Sequence, residues 1–298
     1  MTVSPMVTSS DHEVRAVRAR MRELLARPGC VVAPGCHDAL AARIAQDEGF
    51  EAVYLSGNAA SAGLLGRPDV GLADRHEMTE RARWVTGSIA LPVLADADAG
   101  YGDRHAVART VREFEAAGVA GIHLEDQDLP KRCGAMEGVR IVPFDDAIAR
   151  LRAALKARTD PDFLIIARTD ALALGDEAEA LRRAEAFAEE GADLVMVEDV
   201  RSEDQVRRLP KLLPGVPLLF DAFEVWPWTL RDTAELGELG YKIAIMCLST
   251  TLAYAQAART VLRAIRDEGS TRGVLDTLMP LAEYERVLGI AEFESEAK

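Results

Sequence analysis

Residues 115–126 read EAAGVAGIHLED: an amphipathic stretch ends at Gly118, and just beyond it an apolar run opens that closes on two acids. A glycine there suits the left-handed residue that ends a helix, and the run after it suits a strand buried on both faces. The same phrase returns as AQDEGFEAVYLSG around Gly49, AEEGADLVMVED around Gly191 and GELGYKIAIMCLS around Gly240. Four further apolar runs bring the candidate strands to 31–34, 52–56, 92–98, 121–126, 163–170, 193–199, 216–222 and 242–249. Between them, stretches such as RHAVARTVREFEAAG place apolar residues at three- and four-residue intervals. Eight βα units in about 250 residues predict an α/β chain folded as a TIM barrel. A doubly wound sheet would need fewer strands and usually a glycine fingerprint after the first one.

In such a barrel the catalytic groups stand at the C-terminal strand ends. Here those ends carry His37 and Asp38, Ser56, Asp96 and Asp98, Glu125 and Asp126, Arg168 and Asp170, Glu198 and Asp199, Asp221, and Ser249. A ring of acids with one arginine is hard to explain as packing, since buried charge is costly unless paired or bound to metal. In PVLADADAGYG, residues 92–102, two carboxylates end a strand and are followed by a glycine-rich turn. Carboxylates without histidine select a hard, water-retaining ion, Mg2+ sooner than Zn2+, with Mn2+ as a substitute. The competing reading makes Asp96 and Asp98 a helix cap or solvated turn before the helix beginning near Arg104.

The chain has 298 residues, 49% hydrophobic and 28% charged, enough for a large core. A net charge of -14 without a Lys/Arg cluster argues against a nucleic-acid partner. Four cysteines without CxxC spacing indicate neither zinc nor a disulfide framework and fit a reducing, cytoplasmic setting. No apolar run is long enough for a membrane span, and MTVSPMVTSS lacks the pattern of a signal peptide. Residues 1–10 are expected to be a disordered tail and 11–298 a single domain, whose helical stretches after 250 exceed what one closing helix requires.

The segments YLSG at 54–57, RPD at 67–69, DADAGYG at 96–102, HLEDQ at 123–127, KRCG at 131–134 and ARTDA at 167–171 stand in the order and spacing of the isocitrate lyase and phosphoenolpyruvate mutase superfamily. The chain resembles its short members, the 2-methylisocitrate and dimethylmalate lyases, carboxyphosphonoenolpyruvate phosphonomutase, and the oxaloacetate hydrolases and decarboxylases. The resemblance implies a barrel whose last helix is exchanged between subunits, a homotetramer built as a dimer of dimers, and Mg2+ bound with a 2-oxo acid. It makes Asp96 the direct metal ligand, with Asp69, Asp98 and Glu125 holding its waters. Ser56, Gly57 and Asn58 would grip the 2-oxo acid, with Gly134, Glu198, Asp221 and Phe223 completing the substrate pocket.

Cys133 lies in DLPKRCGAMEG beside Lys131 and Arg132, and adjacent positive charge is expected to lower its pKa. In the lyases it resembles, this cysteine protonates the departing carbanion. Arg168 should stabilise an enolate oxyanion, its alternative being an ion pair with Glu125 or Glu198. Tyr54 is either a base facing the substrate or a core tyrosine, and His123 a hydrogen-bonding neighbour of the metal site. His37 and Asp38 read as a helix cap. Cys30, Cys36 and Cys247 read as packing residues.

Three departures stand out: Ala135 replaces a histidine, LFDAFE at 219–224 replaces a run like LANMTE, and MCLS at 246–249 replaces YPLS. All three are expected in the pocket for the distal carboxylate, where they remove donors and add a negative group. The expected activity is Mg2+-dependent C–C cleavage of a 2-hydroxy or 2-oxo acid with a less acidic, more apolar or amine-bearing tail. Phosphonate chemistry, oxaloacetate hydrolysis or decarboxylation on the same scaffold, and non-catalytic binding of a 2-oxo acid remain as alternatives.

Overall fold

A computed structural model describes residues 11–224 and 226–296, so the expected N-terminal tail lies outside the described residues. Eight strands are present: β1 Val31–Cys36, β2 Val53–Leu55, β3 Val93–Asp96, β4 Gly121–Glu125, β5 Leu164–Thr169, β6 Leu194–Val197, β7 Leu218–Asp221 and β8 Tyr241–Met246. They pair in sequence order, all parallel, and β8 closes on β1 with Val31 opposite Ile243. The fold is the TIM barrel that the repeated phrase predicts, and each strand lies within three residues of its expected bounds. Gly49, Gly118, Gly191 and Gly240 all have positive φ, between 84° and 110°, at the expected helix-to-strand turns.

Strand alternation divides the core in two. Val53, Leu55, Val93, Ala95, Ile122, Ile165, Val195 and Phe220 face outward onto the helices. Tyr54, Leu94, Leu164, Ile166, Leu194, Met196, Leu219, Ile243 and Ile245 fill the interior. At Gly121 a Cβ would lie 2.5 Å from that of Leu164, so only glycine lets β4 and β5 come together at this level. The interior packing leaves the C-terminal strand ends as the place for polar chemistry.

Asp38 accepts a hydrogen bond from Ala41 N as the cap of helix Ala39–Asp47, as expected. Helix Arg104–Ala116 is capped by Asp103, so Asp96 and Asp98 are free of that duty. Beyond β8, helix Ser249–Glu268 leads to Leu281–Leu288 and Ile290–Glu296. Arg286 forks onto Asp47 at 2.5 and 2.8 Å, tying this extension to the chain's own barrel. Helix Ser249–Glu268 nevertheless buries Ala264 alone and exposes Tyr254 and Leu262 at 64% each. Among the described residues no helix is long and apolar enough to cross a membrane.

Candidate active site

Four carboxylates gather where β2, β3 and β4 end: Asp69, Asp96, Asp98 and Glu125, each no more than 6% exposed. Asp96 closes β3, and Asp98 turns back beside it in a left-handed conformation, φ 47°. Asp98, Tyr101 and Asp199 are the non-glycine residues with positive φ among those described, and all follow strand ends at this mouth. Asp96 Oδ1 accepts from Asp98 N at 2.9 Å, and Oδ2 from Gly57 N at 3.2 Å. A Cβ on Gly57 would lie 2.5 Å from that Oδ2, so glycine is what lets this backbone N–H reach the carboxylate.

Lys131 reaches into the cluster from the loop after β4. Its ammonium lies 2.6 and 2.8 Å from the two oxygens of Asp69 and 2.5 Å from Asp98 Oδ1. Burial opposes the charge on Asp96, yet His123, then Lys131, Arg168 and the Asp98 N–H outweigh it and hold the carboxyl below the usual carboxylate range. Burial also pushes His123 down to about 4, so the imidazole 3.4 Å from Asp96 Oδ1 is neutral at neutral pH. At neutral pH the pull that remains on Asp96 is that of Lys131, Arg168 and the Asp98 N–H.

The all-oxygen set suits a hard cation, and Glu125 Oε1 is buried without a hydrogen-bond partner. Among the described residues no three such side chains converge closely enough to coordinate one ion directly. This fits an ion held by one carboxylate and, through its waters, by the others. It does not fit a zinc cage.

Arg168 closes β5 and is held in a fork: Nε and Nη2 donate to Asp170 at 2.9 and 2.7 Å. Glu125 and Glu198, its expected partners, lie further off at 3.6 and 3.8 Å. Gln127 links this fork to the loop, donating to Asp170 Oδ1 at 3.1 Å and to Arg132 O at 2.8 Å, and accepting from Arg132 N at 2.9 Å. Sequence reasoning missed Lys131 as a partner of the acids and Gln127 as the tether; HLEDQ placed the glutamine just past a strand end, the one available signal.

The loop seats Cys133 with its N–H on Asp69 O at 3.0 Å and its sulfur 3.4 Å from Asn58 Nδ2. Contrary to expectation its pKa is raised, to about 11, chiefly by burial. Lys131 turns away to the acids, and Arg132 outward to Glu137 O, so neither cation serves the sulfur. The result is a thiol, which can give a proton, rather than a thiolate. Gly134 packs against Arg168 and Glu198, where a Cβ would come within 2.8 Å of Arg168 Nη2 and 2.6 Å of Glu198 Cγ.

Tyr54 is buried, its hydroxyl 2.5 Å from His123 Nε2. Burial, then the charges of Asp96 and Asp221, hold it well above the ordinary phenol range. Ser56 caps helix Gly57–Leu65 by accepting from Ala59 N at 3.3 Å. Across the mouth, Asp221 accepts from Cys247 Sγ at 3.6 Å, which gives Cys247 a polar role beyond the packing expected of it. Phe223 lies edge-on to Trp226, ring centres 5.4 Å apart. Ala135 is exposed on the same loop, two residues beyond Cys133.

Residues 21–266 match the family model described as phosphoenolpyruvate phosphomutase. The 2,3-dimethylmalate lyase of Eubacterium barkeri is 41% identical over 91% of this chain and 94% of its own. A 2-methylisocitrate lyase of Aeropyrum pernix is 37% identical over 92% and 88%. Among solved structures, oxaloacetate acetylhydrolase in complex with 3,3-difluorooxalacetate superposes with a TM-score of 0.89 at 35% identity, covering 94% of this chain and 95% of that one. Phosphonopyruvate hydrolase in complex with oxalate and Mg++ gives 0.83 at 28%, covering 95% and 97%. The barrel, its ordered motifs and these likenesses place the chain in the phosphoenolpyruvate phosphomutase family, within the enzymes of the isocitrate lyase/PEP mutase superfamily.

Proposed function

We propose that this chain is a Mg2+-dependent carbon–carbon lyase that cleaves a 2-hydroxy carboxylic acid and releases a 2-oxo acid. The observation that carries this reading is a half-buried, protonated thiol, Cys133, on a loop fastened to the same carboxylates that would hold the ion. C–C cleavage leaves a carbanion that needs a proton, whereas phosphoryl transfer between oxygen and carbon does not. That contrast favours the lyase over the phosphonomutase reading.

Asp96 would bind Mg2+ directly and Asp69, Asp98 and Glu125 through water; once bound, the ion supplies a Lewis acid for the carboxylate and hydroxyl oxygens of the substrate. The start of helix Gly57–Leu65, with Asn58 in its first turn, orients the head of the molecule. Tyr54 takes the hydroxyl proton while passing its own to neutral His123 along their hydrogen bond. Arg168, fixed by Asp170, offsets negative charge as it develops, and Cys133 protonates the departing carbon. As the product leaves, the ring nitrogen gives up its proton to water and the Cys133 sulfur regains one, which closes the cycle.

The assay is turnover of a panel of 2-hydroxy acids with the released 2-oxo acid measured, alongside phosphorus NMR on phosphonopyruvate. Cleavage of none of the acids, with phosphonopyruvate consumed, would overturn the reading. The exposed apolar residues Leu252, Tyr254, Leu262 and Leu281 support a homo-oligomer, a tetramer in our reading, in which neighbouring copies cover them.

A further inference from the structure

Glu198, Asp221 and Glu224 stand together at and just beyond the ends of β6 and β7. Each keeps one oxygen buried without a hydrogen-bond partner: Glu198 Oε2, Asp221 Oδ1 and Glu224 Oε2. Glu198 is only 5% exposed. Their remaining oxygens have weak or neutral company. Asp221 Oδ2 takes the Cys247 thiol at 3.6 Å, and Glu224 Oε1 takes the Ser249 hydroxyl. Glu198 Oε1 lies 3.8 Å from an Arg168 whose fork is already closed on Asp170.

One buried acid, Glu198, and two half-buried ones hold three idle acceptor oxygens that are themselves out of contact with water, with no ion pair shorter than 3.8 Å among the described residues, an arrangement that water-starved surroundings punish. Burial first, and then the mutual repulsion of the group, push Asp221 up to about 7 and Glu198 up to about 8. Phe223 and Trp226 stand beside these acids; Phe223 shares the interior cluster with Cys247, and Trp226 packs against it. Aromatic faces and unpartnered carboxylates are the materials of a cation site, because an ammonium brings three N–H donors and one positive charge. A carboxylate would bring a fourth negative charge and no donor.

We infer that this end of the site binds an ammonium group, so that the molecule held here is a 2-hydroxy acid with a cationic tail. The head of that molecule rests on the lyase reading; the tail rests on the three unpartnered acids.

The test is calorimetry on the full-length protein in MgCl2. Oxalate probes the head alone. Malate, 2-hydroxypentanoate and 4-amino-2-hydroxybutanoate then share one head and differ in an anionic, a neutral and a cationic end. The amino compound is expected to bind at least tenfold more tightly than either of the others. In the double variant Asp221→Asn, Glu224→Gln that ratio should fall toward one, with oxalate reporting that the head site survives. Malate binding as tightly as the amino compound, with oxalate bound, overturns the cationic tail while sparing the lyase reading. Failure of the wild-type protein to bind oxalate removes the head-group reading and the proposal with it.

Discussion

Replacing Lys131 by methionine keeps the length of the side chain and removes its charge. The ammonium is 3% exposed and lies 2.5–2.8 Å from Asp69 and Asp98, themselves under 10% exposed at the side chain. Without it two buried carboxylates face each other unpaired, a change that in comparable settings costs about 3–5 kcal/mol. At roughly 2 °C per kcal/mol for a chain of this size, the melting temperature in EDTA should fall by about 6–10 °C. On the proposed reading Mg2+ would compete with the ammonium for the same oxygens in the wild-type protein and would meet no rival in the variant. Saturation at about a hundred times Kd adds about 2.7 kcal/mol by mass action, so the variant should regain a large part of the loss when MgCl2 is supplied. Thermal melts in EDTA and across a MgCl2 titration, with calorimetric Kd values, measure both effects. A Lys131→Met protein as stable as wild type in EDTA, or one stabilised less by Mg2+ than wild type, would refute the reasoning.

Gly57→Ala should lower Mg2+ affinity about 10–100-fold, the range seen when a ligand's support is disturbed, because the added methyl sits 2.5 Å from Asp96 Oδ2; titration calorimetry reads it. Cys133→Ser should cut kcat by about 10²–10⁴ through loss of the proton donor while the melting temperature stays close to wild type, and unchanged turnover would remove Cys133 from the mechanism. Alkali should destabilise the fold. Burial raises Cys36 from 9.0 to about 12 and Cys133 from 9.0 to about 11, so the unfolded chain loses these protons first. Their contribution is complete below pH 9 and is lost as pH rises from there through 11 and 12, visible as a declining urea midpoint that a Cys36→Ala, Cys133→Ala protein shows less steeply.

The barrel was legible because each βα unit repeats one local phrase, and burial on both faces leaves strands such as LIIART almost free of ambiguity. The acids at the strand ends were legible for the same reason: a charge that ends an apolar run has one place to go. Asp170 as the partner of Arg168 was harder to see, since two residues along a strand points to the same side but does not say whether the fork closes locally or across to Glu125. The Cys133 environment was misjudged because charge adjacent in sequence was taken as charge adjacent in space. Lys131 and Arg132 leave the sulfur in opposite directions, and burial decides its proton.

Gly134 has a bearing on how far the Cys133 loop can descend. With hydrogen as its side chain, the backbone rests against Arg168 and Glu198, and one added methyl would collide with both. In the proposed reaction, the depth at which the thiol would stop above the reacting carbon is thus gauged by an atom that is missing. Any bulkier residue would act as a shim, lifting the proton donor off its target and letting bulk water in beneath it.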